Sequence, residues 1–108
     1  MIINGNLELI ECENLISLGN LIEVKGFINL FGSKNLTSLG KLEKVNHHIS
    51  LNECFSIKDL GNITEMNDFI YLQESGITKE YIEKEKPLLL KWCIWDQYIW
   101  YIKFIYTL

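Results

Sequence analysis

The sequence predicts a mainly β repeat solenoid: a coil of stacked short turns with one parallel sheet, closed at its C-terminal end by a helical or mixed aromatic segment. Three observations carry this. Apolar residues recur in register every 21 residues, at Leu18, Leu39 and Leu60. Within each repeat they are spaced by two and by three, without the sustained 3.6 period of a helix before residue 78. After Ile77 the register stops and an aromatic-rich stretch begins. At 108 residues, 48% hydrophobic and 22% charged, the chain has the size and composition of one folded domain. Residues 1–77 make about 3.5 turns, and residues 78–108 form a cap packed on them.

The repeat is set out by three aligned segments: Ser17-Leu-Gly-Asn-Leu-Ile-Glu-Val24, Ser38-Leu-Gly-Lys-Leu-Glu-Lys-Val45 and Asp59-Leu-Gly-Asn-Ile-Thr-Glu-Met66. Stepping by 21 residues generates columns such as Leu7, Ile28, Ile49 and Ile70, and Leu9, Leu30, Leu51 and Leu72. The spacing of two between these columns predicts a short strand whose alternate side chains face the interior. Spacings of three predict tight turns that each send one apolar side chain inward, as at Leu15, Leu18 and Leu21. Gly19, Gly40 and Gly61 form a turn column, and Cys12, Ser33, Cys54 and Ser75 another.

Ile28-x-Leu30-x-x-Ser33-x-x-Leu36 and Ile49-x-Leu51-x-x-Cys54-x-x-Ile57 resemble the leucine-rich repeat. The short period, with no room for a full helix, is also similar to the receptor L-domain type of repeat, which approaches a β-helix. The resemblance implies that the side chain at the Cys/Ser column satisfies backbone groups in the turn. It also implies that the strand face binds proteins. It specifies architecture and leaves function to be argued from the site. Strands about 4.8 Å apart put Cys12 and Cys54, two turns apart, beyond disulfide reach, so both are expected buried and reduced.

A coil of turns exposes an apolar cross-section that must be covered. Thr78 is the expected N-cap of a short charged helix over 79–86, ahead of Pro87. Residues 88–108 hold all three tryptophans, Trp92, Trp95 and Trp100, and seven of the thirteen aromatics. Two conformations fit: a helix from about Leu88 with Trp92, Trp95, Ile99, Ile102 and Tyr106 on one face, or a strand over 98–108. Its surplus of rings serves either as a cap or as a homo-oligomer surface. Lys91, Asp96 and Lys103 interrupt the run, so no membrane span is expected.

Strand residues flanking the inward pair must point out, giving columns Asn6/Phe27/His48/Phe69, Glu8/Asn29/Ser50/Tyr71 and Ile10/Phe31/Asn52/Gln73. Phe27, Phe31, Phe69 and Tyr71 stand where a solvated face would be polar, and ordered aromatics are the material of interface hot spots. Acidic residues gather at the N-terminal side as Glu8, Glu11 and Glu13, with Glu53 in the Glu11 column. The chain lacks arginine and carries a net charge of -4, a poor composition for gripping nucleic acid. The acids show no calcium-loop spacing, and His47 and His48 are adjacent, so they point apart and do not share a metal. No nucleophile elbow, phosphate loop, zinc-protease motif or dinucleotide fingerprint occurs, and Cys93 has only Lys91 near it as a basic group.

These features lead to an expected non-catalytic, cofactor-free protein-binding module that blocks its partner. Phe27, Phe31, His48, Phe69, Tyr71, Glu8, Glu11 and Glu53 would make the contact. The AT-rich coding implied by abundant Ile, Asn and Lys suggests a phage- or mobile-element-encoded inhibitor of a host-defence nuclease, such as a CRISPR effector. The alternative is a self-associating repeat protein joined through Trp92, Trp95 and Trp100. The absence of a signal-like start and an odd set of three cysteines suit a cytoplasmic protein.

Overall fold

The computed structural model describes residues 1–96 and is built mainly from parallel strands of two residues each. A three-stranded sheet runs in the order β1 (Ile2–Ile3), β3 (Glu23–Val24), β5 (Lys44–Val45). A five-stranded sheet runs β2 (Leu7–Glu8), β4 (Ile28–Asn29), β6 (Ile49–Ser50), β7 (Ile70–Tyr71), β8 (Cys93–Ile94). All pairings are parallel, and from β1 to β7 each joins residues 21 apart, such as Leu7 with Ile28 and Ile28 with Ile49. A parallel bridge between Ser17 and Ser38 continues this register along a third line.

The expectation of one sheet is therefore corrected to two. The column of Ile3, Val24 and Val45 also forms strands, separated from the larger sheet by the corner at residues 4–6. A two-residue strand shows no alternation, so its only sequence sign is a single apolar residue per turn.

Between the strands lies one core. Val24, Ile28, Leu30, Leu36, Ile49, Leu51, Ile57, Leu60, Ile63, Ile70 and Leu72 are fully shielded from solvent. The turn chemistry repeats with the period. Ser17, Ser38 and Asp59 accept hydrogen bonds from the N–H of Gly19, Gly40 and Gly61, at 2.8–2.9 Å. Those glycines have φ between +54° and +62°, where a side chain would be strained. The Cys/Ser column ties successive turns together. Ser33 Oγ donates to Leu9 O at 2.8 Å and Cys54 Sγ donates to Leu30 O at 3.0 Å. All three cysteines are free thiols. Cys54 is buried, but Cys12 is only half-buried, because among the described residues no turn covers it on the outer side.

After Ile77 the chain folds over the last turn. Helix α1 (Lys79–Glu85) starts at Thr78, whose side chain accepts from Tyr81 N–H at 3.1 Å. Tyr81 Oη accepts from Leu60 N–H at 3.0 Å, Lys86 Nζ donates to Gly61 O at 2.7 Å, and Ile82 is buried. A 3-10 helix (Pro87–Trp92) follows and leads into β8. A long helix from Leu88 is thus corrected: the six residues from Pro87 take the tighter 3-10 form, and the chain then rejoins the sheet. The expected strand over 98–108, and Trp100 with it, lie outside the described residues. Among the described residues, no helix is long and apolar enough to cross a membrane.

Candidate functional site

Residues two apart on a strand share a face, so the outward columns of Phe27 and Tyr71 meet on one surface of the larger sheet. Phe27 stacks on His48 with ring centroids 4.9 Å apart and planes within 6°. His48 meets Tyr71 edge-on at 5.7 Å. Tyr71 contacts Phe69 at 6.2 Å, and Phe69 meets Trp92 edge-on at 5.9 Å. Lys91 Nζ lies 5.5 Å from the Trp92 ring, within cation–π range. The result is an unbroken ladder of five rings from the second turn to the cap. Each ring is half-buried, since its neighbours cover part of it and the rest meets solvent. Pairs of this kind add about 0.5–1.5 kcal/mol each beyond their burial, which holds the ladder as a preformed surface. Burial, assisted by the Asp68 carboxylate, raises the Tyr71 phenol above its usual pKa and keeps it a hydrogen-bond donor at neutral pH.

A second feature adjoins the end of these strands. Glu11, Glu53 and Glu74 have φ of +53°, +60° and +56°, and Gly32 in the same column has +73°. The left-handed turn is thus built into every repeat, yet glycine occupies it only once. A Cβ at Gly32 would fall 2.9 Å from Glu11 Cγ, so the missing side chain leaves room for the Glu11 carboxylate to lie across the turn. The space forms a concavity of about 330 Å³ lined by Glu11, Glu13, Phe31, Gly32, Lys34, Glu53 and Phe55. Glu13 pairs with Lys34 at 3.4 Å, an exposed contact of little energetic weight. Three carboxylates against one ammonium, with two phenyl rings, make a surface that suits a lysine or arginine side chain.

The eight residues singled out in the sequence fall into two groups and one outlier. Phe27, His48, Phe69 and Tyr71 form the ladder. Phe31, Glu11 and Glu53 line the concavity. Glu8 stands apart and exposed on β2. The structure adds Trp92 to the ladder and Phe55 to the concavity, where Glu13 of the N-terminal acidic group also lies. Phe55, 52% exposed, was signalled only as a large ring in the polar column of Glu13 and Lys34. Trp95 turns inward instead, its Nε1 donating to Ile77 O at 2.7 Å.

Chemistry-bearing groups elsewhere are quiet. Burial pushes the Cys54 thiol up to about 11 and the Cys93 thiol up to about 12, so both are protonated at neutral pH. Among the described residues, no group of three or more His, Cys, Asp or Glu side chains is placed to hold a metal ion. A polar concavity of about 420 Å³ opens beside β5, where Glu65 and Met66 leave the smaller sheet at three strands. Compared with protein-family models, with curated proteins and with solved structures, the chain matches none.

Proposed function

We propose that this chain is a leucine-rich-repeat-like solenoid acting as a non-catalytic protein-binding module. It docks on a basic surface of its partner and works by occlusion. The observation that carries this reading is the preformed five-ring ladder, flanked by a concavity that combines carboxylates with exposed phenyl rings. Rigid aromatic surfaces supply hot-spot burial at low entropic cost, and acidic rims steer basic partners and set specificity. A basic surface of this sort belongs to proteins that handle nucleic acid. The concrete version is a phage- or mobile-element-encoded inhibitor of a host-defence nuclease, of the anti-CRISPR kind, working in the cytoplasm. Capture from host extract tests it. A nuclease or other defence component should be retained by the wild-type chain, released by added salt, and lost with Phe27→Asp or Glu53→Lys. Retention of the same proteins by both variants counts against the reading.

A second reading is self-association through the aromatic C-terminal segment, with Trp92 rather than the inward-turned Trp95 at the contact. It is favoured by Leu88, which stands exposed on the cap, and by the half-exposed ring of Trp92. Sedimentation across a wide concentration range decides it. A Trp92→Ala-sensitive dimer supports this reading, and a strict monomer removes it.

A further inference from the structure

The first turn differs from every turn after it. Ile3, Leu7, Leu9, Leu15 and Leu18 occupy core columns but are only half-buried. One turn on, Val24, Ile28, Leu30, Leu36 and Leu39 are at most 1% exposed. Around the open end, Ile2, Ile10 and Ile16 are 54%, 49% and 54% exposed. At the other end Ile70, Leu72 and Ile77 are covered by the cap. Among the described residues nothing lies over the first turn.

The open end also has unused backbone. Leu7 N–H and Leu9 N–H donate to Phe27 O and Asn29 O, toward the second turn. In a parallel ladder successive residues alternate in direction, so the N–H and C=O of Glu8 between them face outward. On the smaller sheet, Met1 O and Ile3 O accept from the second turn, which turns the groups of Ile2 outward in the same way. Among the described residues, both sheets therefore begin with an unpaired strand edge bordering half-exposed core residues, the geometry used in β-strand addition.

Charge selects the occupant. Residues 1–24 contain Glu8, Glu11, Glu13 and Glu23 and no Lys, Arg or His. A second copy joined end to end across a twofold axis would bring acid-rich first turns together, with like charges facing each other. An extended segment alternating apolar and basic residues meets no such cost. We propose that the exposed edge of the first turn is a second docking site, which takes a basic, apolar-alternating strand of a protein partner onto β2. The strand would add main-chain hydrogen bonds at Glu8, cover Leu7 and Leu9, and set its cations against Glu8 and Glu11.

The test uses the full chain and a nine-residue peptide alternating lysine and valine. Control peptides alternate glutamate and valine, or carry proline at the central position. Amide NMR shifts on titration should concentrate in residues 2–11 for the basic peptide, with binding that weakens as salt is added. The acidic and proline peptides should bind at least about tenfold more weakly. Glu8→Lys should lower affinity for the basic peptide by about tenfold while leaving the thermal midpoint unchanged. Equal binding of acidic and basic peptides, shifts centred outside the first turn, or no binding overturns the proposal. So does a concentration-dependent dimer, or a contact from residues 97–108, that occupies the first turn in the free protein.

Discussion

The two ends of the parallel sheets follow the same 21-residue register and finish differently. At the C-terminal end, Tyr81, Lys86 and Trp95 reach back to the main chain of Leu60, Gly61 and Ile77, while Ile82 and Leu89 are buried against the core. At the N-terminal end, Leu7, Leu9 and Leu15 hold equivalent columns with solvent on one side. In a stacked array each turn is stabilised mainly by its neighbours. A turn with one neighbour has about half the apolar contact of an interior turn, so the first turn is expected at the low end of local stability. The difference is one of burial: the interior turns carry the aromatic ladder on a fully covered core, and the first turn keeps its core leucines half-exposed.

Substitutions in equivalent columns probe this contrast, and the largest effect belongs to the core leucines. Leu51→Ala, in a fully buried site, is expected to cost about 3–4 kcal/mol, and Leu9→Ala about 1–2 kcal/mol because water already reaches it. Urea denaturation of the pair measures the gap, and equal losses would mean the first turn is as well covered as the third. The turn glycines come next. A Cβ at Gly40 would run into Gly19 O, whereas one at Gly19 meets nothing within 4 Å. Gly40→Ala therefore combines left-handed strain with a backbone clash, about 3 kcal/mol, and Gly19→Ala carries the strain alone, about 1 kcal/mol. Thermal midpoints that fall together would break the comparison.

Smaller effects follow in the thiol and acid columns. Cys54→Ser keeps the donor that Ser33 supplies one turn earlier, so its cost is expected to stay within about 1 kcal/mol. The folded state raises this thiol from 9.0 to about 11, with burial as the main cause. Between those values the unfolded chain loses a proton that the folded chain keeps, so stability falls as pH rises through that window. Below pH 9 this contribution is fully present. Wild-type and Cys54→Ser denaturation compared at pH 8 and pH 11 should diverge, with the serine variant losing less. Smallest of all, Glu53→Gly should shift stability by no more than about 0.5 kcal/mol, because relief of the left-handed φ offsets the added chain entropy. Its effect should appear in partner capture instead.

The 21-residue register was legible because each turn repeats Leu and Gly at fixed offsets, and the strand pairings of Leu7, Ile28, Ile49 and Ile70 follow it. Two features were not. The smaller sheet was hidden because strands as short as Glu23–Val24 have no alternation to detect. β8 was hidden because α1 and the 3-10 helix shift the phase, so Ile70 pairs with Cys93, 23 residues on. In the site, Phe27, His48, Phe69 and Tyr71 were visible as large rings at outward strand positions. Trp92 was not, since its place on the ladder depends on how the chain returns after Pro87, and Phe55 sits in a turn where spacing says little about direction.

Both proposed docking surfaces depend on the parallel register and on its uneven coverage. Amide hydrogen exchange on the full chain, resolved by residue, tests this most directly. The N–H groups of Leu30 and Leu51, bonded between covered turns, should exchange slowest, and those of Ile2 and Glu8 at close to unprotected rates. Fast exchange at Leu30 and Leu51, or protection at Glu8 equal to theirs, would contradict the account.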